Sequence, residues 1–186
     1  CTIGFGADAW KRFFPEQGNP KELQPFEEIK GVKLTAVSTP GDLLFHIRCK
    51  QMGLCFEFAS IIDQKLRGVV ESIDETHGFR YRDGKAIIGF VDGTEKPKNA
   101  HNAVTNIGDD LKIVRANMPF AHTSKGEYGT YFIAYASTFS TTRRMLENMF
   151  VGDPVGNTDR LLDFSTPITG TLFFVPSYEL LDKLGE

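Results

Sequence analysis

The stretch GDLLFHIRCK alternates, with Leu43, Phe45, Ile47 and Cys49 on one face and Leu44, His46 and Arg48 on the other. Such alternation predicts a half-buried strand. In LCFEFASIIDQKL the apolar positions change to helical spacing, with Leu54, Phe58, Ile61, Ile62 and Leu66 on one stripe, and Gly68 supplies the stop. The next stretch, VVESIDETHGFRYRDGKAIIGF, reads as two strands joined through Asp83 and Gly84, the pair that a type I′ turn asks for.

The rhythm recurs downstream. LKIVRANM and GTYFIAYAS read as strands, and STTRRMLENMF as a helix with Ser140 as N-cap and Met145, Leu146, Met149 and Phe150 on its buried stripe. GTLFFVP is too uniformly apolar to alternate, which predicts a strand covered on both faces. SYELLDKL follows as a short helix behind Ser177. Each half is a strand–helix–strand–strand unit, so the predicted fold class is α+β: two ferredoxin-like units of antiparallel sheet with helices packed on them. The expected division is 1–95 and 96–186, with no low-complexity linker between.

Composition narrows the function classes. A length of 186 residues with 41% hydrophobic content suits one domain or two small ones sharing a core. A net charge of -3 and a pI of about 5.8 give no electrostatic basis for binding nucleic acid or an anionic membrane, and no apolar run is long enough to span a bilayer. Cys1, Cys49 and Cys55 lack zinc-type spacing and point to a reducing compartment, hence a cytoplasmic location. The 16 phenylalanines fill a core, and they are also what a flat apolar ligand would want around it.

Three stretches carry candidate chemistry. In GFVDGT, Asp92 follows an apolar run, where an Asp-Gly pair is ordinarily a turn. Here Gly89, Gly93 and Thr94 crowd the carboxylate; glycines admit a ligand close to the backbone, and a carboxylate held there can shuttle protons. In KPKNAHNAVTNI, His101 is either a surface histidine or an axial metal ligand whose other ring nitrogen needs an acceptor. In LKIVRANMPF, Arg115 and Asn117 share one face of a strand, and an arginine between apolar neighbours either snorkels to water or faces an anion or ligand.

Together these stretches resemble the dye-decolorizing peroxidases, a haem enzyme family with paired ferredoxin-like domains. PFEEIKG, STPGDLLFHIRCK, HGFRYRDGKAIIGFVDGT, NAHN, KIVRANMPFAHTSKGEYGTYFIAYAS and DRLLDFSTPITGTLFFVPS carry the resemblance in the family's order through nearly the whole chain. It is to the compact bacterial B- or P-type subgroup. GFVDGT matches the family's G-x-x-D-G signature. The resemblance implies that Asp83 is a turn residue and Asp92 the distal acid, with Gly93 and Thr94 beside the cofactor. It further implies Arg115 as the distal arginine, Asn117 as the neighbouring amide and His101 as the axial iron ligand. Asp159 in DRLLDF is placed as the acceptor behind that histidine, with Asp163 competing for the position. Phe120, Phe173 and Phe174 are candidates for the apolar pocket, a role core packing explains equally well.

The implied cofactor is haem b, noncovalent because the chain has no CxxCH. The implied partners are hydrogen peroxide, small aromatic electron donors, a second copy of the chain in a homo-oligomer and, for some members, an encapsulin shell. Against the family's pattern the chain lacks the opening strand region and a long segment between the DGT and NAHN motifs. The joined stretch from Asp92 to His101 still reaches ~30 Å when extended, enough to place them on opposite faces of a haem. The lost wall leaves two alternatives to an active peroxidase: a haem-binding or haem-handling module, and an inactive fragment.

Overall fold

The chain runs β1 (Thr2–Phe5), α1 (Ala7–Phe13), β2 (Ile29–Lys30), β3 (Thr35–Ala36), β4 (Leu43–His46), α2 (Met52–Leu66), α3 (His101–Val104), β5 (Val114–His122), β6 (Glu127–Tyr135), α4 (Phe139–Phe150) and α5 (Tyr178–Leu184). This is a computed structural model, and it describes residues 1–82, 87, 101–108 and 113–185. Helices with small antiparallel sheets make the α+β class expected from the periodicities. Two units form from interleaved segments. Unit 1 comprises Cys1–Phe26, Thr39–Glu75 and Thr171–Glu186; unit 2 comprises Glu27–Ser38 and Thr76–Gly170. Each unit therefore takes residues from both sequential halves.

In unit 1, β1 pairs antiparallel with β4, from Thr2 opposite His46 to Phe5 opposite Leu43. The backbone N–H and C=O of Phe5 both go to Phe174, at 2.8 Å each. GTLFFVP thus contributes one β-bridge and half-buried side chains at 171–174, in place of the strand expected to be covered on both faces. Gly6 turns the chain into α1 so close to Gly41 that a Cβ there would sit 2.2 Å from the Gly41 carbonyl. Trp10 on α1 is 2% exposed and packs against Phe5, Phe14 and Phe174, while its indole N–H donates to the Gly18 carbonyl at 2.8 Å. Leu23, Leu43, Leu180 and Leu184 join this cluster. Ser177 caps α5 as expected, its hydroxyl accepting the Leu180 N–H at 3.2 Å.

Helix α2 forms where its spacing predicted, with Gly68 at φ 80 just beyond its end. Its protected side differs. Leu54, Phe58 and Ile61 are exposed, whereas Cys55, Ala59, Ile62 and Leu66 are half-buried. Apolar residues occupy most of the helix circumference, so periodicity alone does not select the seam.

In unit 2, β5 and β6 form one long hairpin that places Arg115 opposite Ala134 and Asn117 opposite Phe132. A 3₁₀ turn at Thr123–Lys125 and left-handed Gly126 reverse the chain between them. HGFRY forms no strand, but the Phe79 N–H donates to the Pro119 carbonyl of β5 at 2.9 Å. The turn read at Asp83 and Gly84 lies outside the described residues. Helix α4 buries Met145 and Phe150 and half-buries Leu146 and Met149. Its N-cap is Thr138; Ser140, expected there, lies in the first turn and donates its hydroxyl to Thr138 Oγ1 at 3.2 Å. Two hydroxyl residues within three positions are equivalent caps by pattern, and the path of the preceding strand chooses between them. The β2–β3 hairpin seats on the C-terminal end of α4: the Val32 N–H meets the Phe150 carbonyl at 3.1 Å, and a Cβ on Gly31 would sit 2.4 Å from that oxygen. Among the described residues no helix is long and apolar enough to cross a membrane.

Candidate active site

The site in unit 2 is built on α3, a single turn that begins at His101. The His101 carbonyl accepts the Thr105 N–H at 3.1 Å and the Thr105 hydroxyl at 2.7 Å, closing the turn with two bonds. Asn148 of α4 donates to the Val104 carbonyl at 3.2 Å and ties the two helices together. These bonds fix the backbone from which the imidazole projects.

The ring itself is held by Asp159. His101 Nδ1 lies 2.6 Å from Asp159 Oδ2. Asp159 is 0% exposed, and its N–H donates to the Met149 carbonyl at 2.9 Å. Its second oxygen, Oδ1, accepts the Leu161 N–H at 2.8 Å and so caps the 3₁₀ turn Arg160–Asp163. A buried carboxylate must be hydrogen-bonded on all sides, and here each oxygen has one donor. An acceptor-only carboxylate requires the proton of the neutral imidazole to sit on Nδ1, which leaves the Nε2 lone pair as the donor. The imidazole side chain remains one-third exposed. Asp163, the competing carboxylate, pairs instead with Lys33 of the β2–β3 turn.

Arg115 is exposed on β5, so the cost of burying a guanidinium does not bear on its role. Its Nη1 donates to Thr105 Oγ1 at 3.5 Å. Asn117, two residues along the same strand face, is also exposed. Phe120 lies across the hairpin over Gly129, where a Cβ would come within 2.5 Å of its ring. Phe174 belongs to the aromatic cluster of unit 1, with its ring centroid 4.9 Å from that of Trp10. Asp92, Gly93 and Thr94 lie outside the described residues. The structure therefore brings together His101, Asp159 and Arg115 and adds Thr105 between them. Thr105 belongs to no motif in the sequence, although a threonine four residues after a helical histidine commonly back-bonds to its carbonyl.

Among the described residues no three His, Cys, Asp or Glu side chains gather around a common point that could hold a metal ion. One imidazole with its second nitrogen already engaged is the donor set suited to a metal that arrives with its own planar ligands.

Residues 1–80 match the family model described as Dyp-type peroxidase, N-terminal, and residues 82–180 the one described as Dyp-type peroxidase, C-terminal. The chain belongs to the Dyp-type peroxidase family. A dye-decolorizing peroxidase of Rhodococcus erythropolis is 40% identical, over 98% of this chain and 73% of its own length. That match extends over 250 positions, more than the 186 residues present, so the relative carries residues with no counterpart here. Among solved structures, a dye-decolorizing peroxidase from Bacteroides thetaiotaomicron superimposes with a TM-score of 0.95 at 62% identity, over all of this chain and 81% of its own. A variant of DypB from Rhodococcus jostii, solved in complex with heme, gives 0.93 at 36% identity, over 100% and 82%. The chain is accordingly an enzyme of the peroxidase class, with the family's ferredoxin-like α+β fold.

Proposed function

We propose that the chain is a haem-dependent peroxidase that reduces hydrogen peroxide and oxidises bulky phenolic or dye-like donors. The observation that carries this reading is the 2.6 Å contact between His101 and the fully buried Asp159. His101 would hold the haem iron through Nε2, and the absence of CxxCH from the sequence makes the haem a noncovalent b-type group. Bound there, haem would supply the iron and the electrons that reduce peroxide. Asp159 keeps the proton on Nδ1 and strengthens Nε2 as a donor. Asp92, by its match to the family's signature, would take a proton from one oxygen of peroxide and return it to the other, assisting heterolytic O–O cleavage. Arg115 stabilises the negative charge that develops during that cleavage, and Asn117 offers an amide beside it.

A second reading is favoured by the residues that relatives carry and this chain lacks: a haem-binding module with little turnover. One experiment separates the two. The protein is reconstituted with haem and its Soret band recorded before and after one equivalent of peroxide. Asp92→Ala and Arg115→Ala should keep the band and together lower peroxide turnover on the order of a hundredfold or more. Unchanged turnover in both variants supports the module. A His101→Ala protein that binds haem as the parent does overturns the ligand assignment.

A further inference from the structure

We propose that Asn148 is the positioning residue that sets His101 at bonding distance from Asp159, and through that bond sets how well the imidazole holds haem. The inference rests on the peroxidase reading above and adds to it a residue outside the motifs that carry the family resemblance.

The turn that carries His101 cannot place itself. It is four residues long, and a single helical turn fixes too many dihedrals for its few hydrogen bonds to be stable alone. Within it, Thr105 closes on the His101 carbonyl, and the Ala103 carbonyl accepts the Asn106 N–H at 3.3 Å. The Val104 carbonyl is left over at the C-terminal end, on a residue 8% exposed, where an unpaired acceptor is costly. Asn148 supplies the donor, its Nδ2 lying 3.2 Å from that oxygen. The orientation of the amide is fixed by chemistry, because only its NH₂ can face a carbonyl.

The next residue of α4 holds the other half of the pair. The Met149 carbonyl accepts the Asp159 N–H at 2.9 Å. Residues 148 and 149 are adjacent in one helical turn, so the grip on α3 and the grip on the backbone of Asp159 share one rigid origin. Buried Met145 and Phe150 anchor that turn from either side. His101 and Asp159 lie 58 positions apart, and these two bonds from α4 bring Nδ1 and Oδ2 to 2.6 Å. A bond of that length to a carboxylate weakens over a few tenths of an ångström. Without Asn148, Asp159 stays fixed by Met149 and by its cap on Leu161. Apart from the His101–Asp159 bond itself, the side-chain hydrogen bond left on the His101 turn among the described residues is the long one from Arg115 to Thr105 at 3.5 Å.

The test uses Asn148→Leu, which keeps the volume and removes the donor, and Asn148→Gln, which keeps a donor. In the haem-free chain, hydrogen–deuterium exchange across 101–106 should rise about tenfold in Asn148→Leu, with α1 unchanged. Haem affinity, read by Soret titration, should fall about tenfold in Asn148→Leu, and Asn148→Gln should recover most of it. The iron–histidine stretching band of the ferrous, haem-loaded protein should move to lower frequency in Asn148→Leu, in the direction that Asp159→Ala moves it, since both weaken the donor nitrogen. In an Asp159→Ala background, Asn148→Leu should move neither the band nor the affinity further, because it acts through that carboxylate. Should Asn148→Leu fail to fold, Asn148→Ala is read by the same criteria. The proposal is overturned if exchange across 101–106 is unchanged, if band and affinity stay at their parental values, or if Asn148→Leu lowers affinity as much with Asp159→Ala as without it. A parent protein without a Soret band overturns the peroxidase reading and the haem half of this proposal, and exchange across 101–106 then decides whether Asn148 places the turn. A parent that binds haem but is indifferent to Asn148 overturns this inference alone.

Discussion

Replacing Asp159 by asparagine probes the site with little effect on the fold. The amide has nearly the shape of the carboxylate, but it faces two donors, the Leu161 N–H at 2.8 Å and the His101 Nδ1 at 2.6 Å, with only one acceptor oxygen. If that oxygen keeps the Leu161 cap, the NH₂ group points at Nδ1. An unpaired buried donor would cost about 1–3 kcal/mol, and the imidazole avoids this by moving its proton to Nε2 and accepting at Nδ1. The fold is then largely preserved, while the nitrogen needed for the iron carries a proton. Haem affinity should fall about 10–100-fold, the usual loss when the partner behind a ligating histidine is removed. Asp159→Ala should show the same loss and, in addition, destabilise the haem-free chain by about 1 kcal/mol, because the turn at Arg160 loses its cap. The assay is a Soret titration for affinity beside urea unfolding of the haem-free proteins. An Asp159→Asn protein with parental haem affinity and spectrum would show that Asp159 does not set the tautomer of His101.

Three further outcomes follow from the geometry. Trp10→Phe should cost about 1–3 kcal/mol by chemical denaturation followed by circular dichroism, since the smaller ring leaves a void in the packed aromatic cluster and gives up the bond to the carbonyl of exposed Gly18. Lys33→Ala, which breaks a partly exposed pair with Asp163, should cost no more than about 1 kcal/mol and leave the haem spectrum unchanged, separating Asp163 from the carboxylate behind His101. His46 titrates below its ordinary value of 6.5, chiefly through burial and secondly through Arg48. The unfolded chain therefore takes up this proton first as pH falls, and stability present above pH 6.5 should decline from there down to the folded value; His46→Gln should flatten that decline in urea midpoints measured against pH.

The elements with a clear period were legible in the sequence. The alternation around Leu43 gave β4, the spacing from Leu54 to Leu66 gave α2, and the serine that opens SYELLDKL gave the capped start of α5. These features depend on neighbours within a few residues, and local pattern records local preference. Helix α1 and its buried Trp10 were not read, because seven residues ending in KRF carry too few turns to show a period. Which stripe of α2 is covered depends on what packs there, which periodicity does not encode.

The same division runs through the site. Residue type and motif order determined which side chains were candidates: His101 as a ligand, Arg115 as a cation on a strand, and two carboxylates in DRLLDF. Asp159 and Asp163 stand four residues apart in one turn and are chemically identical, so nothing local distinguishes them. Tertiary structure decided between them by burying Asp159, with its N–H on the Met149 carbonyl, and by leaving Asp163 at the surface for Lys33. His101 and Asp159 are separated by 58 positions, and Thr105 meets Arg115 across the gap between a helical turn and a strand. A hydrogen bond depends on distance in space to within a few tenths of an ångström, and over such separations only the packed core sets that distance.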